Sequence, residues 1–217
     1  MQIVVPLWRR GFAQYIDGWI VLDTMSSIPD WELAMPGRNA PFALAGVRNP
    51  NEILSFVEEY GLLRHSAHDG QAREAFVDWQ EEVARLNRIM AWHIASLRGA
   101  VEGESAAREM AHMINEGRGD LVVRTNIRVD PDAPRGFVWQ RVAQAKTLIS
   151  AIYHELDELI EAERDMRYCD DCKRVFLVGD PRQQYCNVTC ANRAAYHRRA
   201  ARARAAANHV DAGSAGL

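Results

Sequence analysis

Tyr168-Cys169-Asp170-Asp171-Cys172-Lys173-Arg174-Val175-Phe176 and, after a short loop, Gln184-Tyr185-Cys186-Asn187-Val188-Thr189-Cys190-Ala191-Asn192-Arg193 contain every cysteine of the chain. Two residues separate the first pair, thirteen separate the pairs, and three separate the second pair. Two close pairs joined by a short loop can wrap one tetrahedral Zn²⁺ with four thiolates, a closed site with no position left for a substrate. Thiolates favour Zn²⁺ over Mg²⁺ or Ca²⁺, and such a clip orders a segment too small to bury a core. Cys169, Cys172, Cys186 and Cys190 are therefore the expected ligands of one structural zinc ion.

Other uses of four cysteines fit less well. Two disulfides require an oxidising compartment, and no secretory signal precedes these thiols, so the expected location is the cytoplasm. Iron–sulfur runs are spaced differently. A redox role for Cys169-Asp-Asp-Cys172 conflicts with the two acids, which raise thiolate pKa values.

The residues around the knuckles predict local structure. Val175-Phe176-Leu177 reads as a short strand beneath the metal, and Gly179-Asp180-Pro181 as a turn returning the chain to Tyr185. Thr189 to Ala207 reads as a helix, rich in Ala and free of Gly and Pro, with Thr189 as its N-cap. A hairpin between knuckles followed by a helix at the second pair describes a treble-clef-like finger. Residues 208–217 are expected to be a disordered tail.

Charge gives this segment its second property. Pro181 to Val210 contains no Asp or Glu but carries Arg182, Arg193, Arg198, Arg199, Arg202 and Arg204. Against a total of −3, those six positive charges leave the remainder at −9. Arg matches phosphate bidentately, so a nucleic-acid backbone is the natural partner of this patch. Asn192, Arg193, His197, Arg198, Arg199, Arg202 and Arg204 are the expected nucleic-acid contacts. A solvated tail carrying the same charges is the plainer alternative.

The string from Tyr168 to Arg193, with its Arg-rich helix, resembles the CGNR zinc finger. Phe176 matches that family's aromatic, Tyr185-Cys186 its second knuckle, and Cys190-Ala191-Asn192-Arg193 its signature, with Ala191 where the family has Gly. The resemblance covers about 40 residues, and residues 1–165 carry no convincing match to the ABATE domain that commonly precedes the finger. It implies a bacterial-type DNA-binding transcription regulator. A protein-interaction module with an acidic partner is the alternative. A third reading makes the finger mere support for a ligand-binding or enzymatic N-terminal domain.

The rest of the chain reads as one globular domain. The sequence is 48% hydrophobic over 217 residues, and no apolar run is long enough to span a membrane. Ile3-Val4-Val5 and Trp19-Ile20-Val21-Leu22 predict a small hairpin or edge sheet. Asn49-Pro50-Asn51-Glu52 predicts a capped helix with Ile53, Leu54, Val57 and Tyr60 inward, ending at Gly61. Ala72, Phe76, Trp79, Val83, Leu86, Met90, His93 and Leu97 recur at spacings of four and three, the pattern of one long amphipathic helix closed by Gly99. That seam suits a core face, or a homodimer contact. A helix over Glu104–Glu116, a strand over Leu121–Val129, a loop at 130–134 and a last helix from Trp139 to Arg164 complete the reading. On that strand Arg124, Asn126 and Arg128 share a face. The expected fold is mainly α with a small β component (α+β), a helical domain over 1–165 followed by the finger over 166–207.

No catalytic spacing is present: no phosphate loop, no Gly-x-Ser-x-Gly elbow, and no second His to complete His154-Glu155. His65 and His68 form an incomplete metal pair, and His93 on the apolar stripe reads as a core histidine. The chain is expected not to be an enzyme.

Overall fold

The computed structural model describes residues 2–7, 12–23, 32–34, 39–64, 72–100, 104–119, 121–129, 132, 134 and 137–214. The fold is mainly α with small sheets, as the sequence predicts. It divides into two compact units, Met1–Arg164 and Asp165–Leu217. Among the described residues, no helix is long and apolar enough to cross a membrane.

In the first unit, β1 (Gln2–Leu7), β4 (Glu32–Ala34), β6 (Leu121–Val129) and β7 (Phe137–Ala145) form a sheet in the order β4-β1-β7-β6. β1 and β7 run parallel, while β6 and β7 pair antiparallel from Leu121↔Ala145 to Val129↔Phe137. A second, antiparallel sheet orders β2 (Phe12–Ile16), β3 (Trp19–Asp23) and β5 (Ala72–Ala75) as β2-β3-β5. Asp17 and Gly18, with φ of 47° and 84°, make the tight β2–β3 turn. Positive φ at both central residues matches the right-handed twist of the strands, and an Asp-Gly pair supplies it at least cost.

Among the described residues this unit also has five helices: α1 (Ala40–Ala45), α2 (Pro50–Tyr60), α3 (Phe76–Leu97), α4 (Glu104–Gly117) and α5 (Leu148–Glu161). The Asn49 side chain caps α2 by accepting from the Glu52 N–H at 3.0 Å, as the sequence predicts. Glu52 itself reaches one residue further back than the capping box, to the Arg48 N–H at 2.8 Å. The core is built from Trp79, Leu86, Ile89 and Met90 of α3 with Ile152, Tyr153 and Leu156 of α5, all fully buried. Each such side chain contributes roughly 1.5–3 kcal/mol by leaving water.

Two predicted helices begin later than the sequence periodicity suggests. Ala72 lies in β5, whose pairing with β3 takes the chain to Phe76, and the Phe76 N–H bonds the Gly18 carbonyl at 2.8 Å. Of the predicted stripe, Trp79, Leu86, Met90 and His93 are buried, but Leu97 at the last turn is 43% exposed. Trp139 to Ala145 is strand β7, not the start of the last helix. Phe137, Val138, Trp139 and Val142 favour extended backbone, and β7 has strands on both sides to satisfy its amides. Thr147 then caps α5 by accepting from the Ser150 N–H. Most of the predicted 130–134 loop, His65, His68 and the side chains of Arg124, Asn126 and Arg128 lie outside the described residues.

Gly117 has a packing reason. A Cβ there would sit 2.3 Å from Cγ and Cδ2 of Tyr153, inside the ring's own contact surface. The phenol lies against that backbone and donates to Glu82 Oε2 at 2.8 Å.

The second unit consists of β8 (Met166–Tyr168), β9 (Val175–Leu177) and α6 (Val188–Ser214). The helix continues past Ala207 through Ser214, where the sequence reading placed a disordered tail from residue 208. Ala-rich sequence continues to Ala212 with no Pro and no Gly before Gly213, so nothing there stops a helix.

Candidate metal centre and arginine helix

β8 and β9 pair antiparallel with Tyr168 opposite Val175, and the turn of this hairpin is the first knuckle. The hairpin thus carries Cys169 and Cys172 at its tip, rather than lying between the two knuckles. The Cys169 N–H donates to the Arg174 carbonyl at 2.9 Å, and the Lys173 N–H donates to the Cys169 carbonyl at 3.0 Å. Lys173 takes a positive φ of 61° to close the turn. The chain then returns through Asp180, whose Oδ1 accepts from the Arg182 N–H at 2.7 Å. Gln183 braces the return, accepting from the Gly179 N–H and donating to the Tyr185 carbonyl, both at 3.0 Å.

Asn187, not Thr189, caps α6: its Oδ1 accepts from the Cys190 N–H at 2.9 Å. A side-chain oxygen three residues before the bonded amide has the N-cap spacing, and Thr189 falls inside the first turn. Cys190 is thereby fixed on a helix and Cys186 on the loop before it.

The four sulfurs lie within 4.8 Å of one another. Cys186 Sγ is 3.6 Å from both Cys172 Sγ and Cys190 Sγ. Four thiolates at zinc–sulfur bond length around one ion define a tetrahedron with edges of about 3.8 Å, so the constellation fits that geometry. All four cysteines are free of disulfides. Cys169 and Cys190 are buried against Phe176 and Val178, with Tyr185 packed alongside.

Electrostatics within the tetrad are uneven. Burial pushes the Cys169 thiol up, but the backbone N–H groups of Cys172, Cys186 and Asp171 outweigh it and bring the thiol down to about 7. Burial raises the Cys190 thiol to about 11. Cys186 is raised further, by burial first and then by its neighbouring thiols. The loops thus aim N–H dipoles at one sulfur, while Cys186 and Cys190, held protonated, would give up protons to a bound cation.

Arg193, one of the residues expected on nucleic acid, grips the first knuckle. Its Nε donates to Asp171 Oδ2 at 2.7 Å, and its Nη2 bonds the same oxygen. Nη2 also lies 3.8 Å from Cys190 Sγ. The guanidinium holds the Asp171 carboxyl below the ordinary carboxylate range, and Asp171 in turn raises Arg193. This ion pair ties knuckle to helix and places a positive charge beside the sulfurs. Arg198 is engaged too, donating from Nη1 to the Tyr185 hydroxyl at 2.6 Å with its guanidinium carbon 5.9 Å from that ring's centroid.

The remaining expected contacts are Asn192, His197, Arg199, Arg202 and Arg204, and all are exposed. Asn192, Arg199, Arg202 and Arg204 have no side-chain partner among the described residues. His197 meets the edge of Tyr196, centroids 5.8 Å apart, and its charge is among the influences that lower the Asp171 carboxyl. Tyr196 was not singled out from sequence, yet it is 70% exposed. Asp171 was also overlooked; its place inside the first knuckle, with an Arg in the second motif, was the available signal.

The first unit holds a cleft of about 340 Å³ lined by Arg64, Glu82, Arg85, Glu116, Thr147 and Ser150, among others. At its floor the buried Glu82 accepts from Arg64 at 2.7 Å and from Tyr153 at 2.8 Å. Glu74 accepts from the Leu63 N–H at 3.1 Å and the Arg64 N–H at 2.5 Å, fixing that strip of backbone. His93 is a satisfied core histidine, its Nε2 2.9 Å from the Arg164 carbonyl. His154 is buried with neither ring nitrogen hydrogen-bonded, and burial holds its pKa below the usual value.

The sequence matches no protein-family model and no curated protein.

Proposed function

We propose that the chain is a zinc-stabilised nucleic-acid-binding protein, a cytoplasmic DNA-binding transcription regulator of the CGNR type. The observation that carries this reading is the pairing of a four-cysteine cage with a helix that starts inside it and carries no acidic residue before Asp211. Cys190 anchors that helix, and Arg199, Arg202 and Arg204 stand exposed along it without side-chain partners among the described residues. An ordered row of uncompensated guanidinium groups is what a phosphate backbone rewards, through counterion release. In this reading zinc serves structure alone, holding two loops and a helix in one geometry.

The cleft in the first unit favours a ligand-sensing role for that unit, since its volume and buried charged floor suit a small polar molecule.

Fluorescence anisotropy of the metal-loaded protein on random duplex DNA, across a salt series, tests the proposal. Affinity falls with salt, and joint replacement of Arg199, Arg202 and Arg204 by Ala makes the log–log slope shallower by up to about 3. Absence of binding at low salt by the folded, metal-loaded protein sinks the reading and hands the arginines to an acidic protein partner.

A further inference from the structure

We infer that Asn192, Tyr196 and Arg199 form the base-reading edge of α6, entering the major groove of duplex DNA while Arg202 and Arg204 hold the flanking phosphates. The inference rests on the nucleic-acid reading above and gives it a face and a substrate class.

The two sides of the helix differ. Cys190, Arg193 and Arg198 turn toward the finger, where Arg193 is bound to Asp171 and Arg198 to Tyr185. At about 100° per residue, Asn192, Tyr196 and Arg199 (positions i, i+4 and i+7) line up on the side away from the cage. All three are exposed, and Tyr196 keeps 70% of its surface in water, which folding alone does not explain. Ala195, Ala200 and Ala203 keep the helix slim around this stripe. A groove about 12 Å wide accepts a helix about 10–12 Å across, so small flanking residues permit close approach.

The side chains suit base edges. Asn pairs bidentately with adenine N6 and N7, Arg with guanine O6 and N7, and an apolar ring meets thymine methyl groups. A single-stranded target requires several stacking aromatics along its path. Tyr196 is the only Phe, Tyr or Trp in α6, so duplex is favoured. Asn192 and Arg199 are about 10.5 Å apart along the axis, roughly three base-pair steps. Charge complementarity supplies the docking force, since no acidic side chain lies between Pro181 and Val210.

The test is selection of bound sequences from a randomised duplex pool by the full-length, metal-loaded protein. Wild type is compared with Asn192→Ala, Tyr196→Ala, Arg199→Ala and, as a phosphate control, Arg202→Ala. None of these side chains holds the fold, and circular dichroism with metal content verifies each variant. Wild type enriches a short motif with an adenine and a guanine about three pairs apart. Arg199→Ala loses the guanine preference by about 10- to 100-fold and Asn192→Ala the adenine preference. Arg202→Ala weakens every sequence alike and keeps the motif. Duplex binding with no enriched motif, or a motif unchanged in Asn192→Ala and Arg199→Ala, overturns the groove reading and leaves phosphate binding standing. Preference for single strands over duplex also overturns it. No binding to any nucleic acid overturns both this inference and the function it rests on.

Discussion

Replacing Arg193 with Ala separates two roles that one side chain can play in a finger of this kind. Its Nε and Nη2 both reach Asp171 Oδ2, and Nη2 stands 3.8 Å from Cys190 Sγ. Four thiolates around a divalent cation sum to −2, so a fixed guanidinium beside one sulfur stabilises the loaded site. The same ion pair joins the knuckle carrying Cys169 and Cys172 to the helix carrying Cys190. Loss of a partner that orients and neutralises metal ligands costs about 10- to 100-fold in metal affinity. The site retains four ligands and the N–H donors around Cys169, so the lower half of that range is expected for Arg193→Ala. Arg193→Lys keeps charge without the fork and falls between wild type and Ala. Asp171→Ala opens the same clamp but keeps the guanidinium and removes a carboxylate that raises the Cys190 thiol, so its loss should be smaller than that of Arg193→Ala, and the double variant should add little to Arg193→Ala. Competition against a chromophoric chelator reads these affinities directly. The reasoning is refuted if Arg193→Ala binds zinc as tightly as wild type while DNA affinity falls; Arg193 then belongs to the phosphate contacts, where the sequence alone had placed it.

Three further outcomes concern the first unit, and tryptophan fluorescence follows them selectively because Trp8, Trp19, Trp31, Trp79, Trp92 and Trp139 all precede the finger. Burial lowers the folded-state pKa of His154, so below the ordinary value of 6.5 the unfolded chain takes up a proton that the folded unit resists. Stability therefore falls as pH drops through that value toward the folded pKa, by at most about 1.4 kcal/mol per pH unit, and His154→Phe flattens the profile in urea titrations. Gly117→Ala drives a methyl into the Tyr153 ring and displaces its bond to Glu82; a loss of about 1–3 kcal/mol is expected from overpacking, read as a lower denaturation midpoint. Thr147→Ala removes the α5 cap, at a cost of about 0.5–2 kcal/mol, and an unchanged midpoint would show that the cap is dispensable.

How much of this was legible in the sequence follows from how local each signal is. The cage was read directly, because ligand spacing is a property of consecutive residues and the sulfurs converge as the spacing requires. Asn49 and Pro50 announced α2 for the same reason. β5 and β7 are hidden, because their extended state depends on pairing with β3 and β1, which lie far away in sequence, as well as with the adjacent β6. Apolar residues on β7 were continuous enough with those of α5 to pass for one long helix. Thr147, a cap residue followed by the helical period, marked the true boundary. The Arg193–Asp171 bond crosses the cage and joins residues 22 positions apart, so charge counting saw only a free arginine. The outward face of α6 emerged once Arg193 and Arg198 were seen to turn inward.

The proposed function requires that metal hold α6 in the position from which its arginines meet nucleic acid. The most direct measurement follows duplex-DNA affinity of the full chain while a chelator withdraws zinc and added zinc restores it. Affinity and its salt dependence should fall as metal leaves, recover when it returns, and stay absent in Cys169→Ser with Cys190→Ser. Equal affinity with and without metal would show that the arginines act as an unstructured polycation, and the cage would have no part in binding.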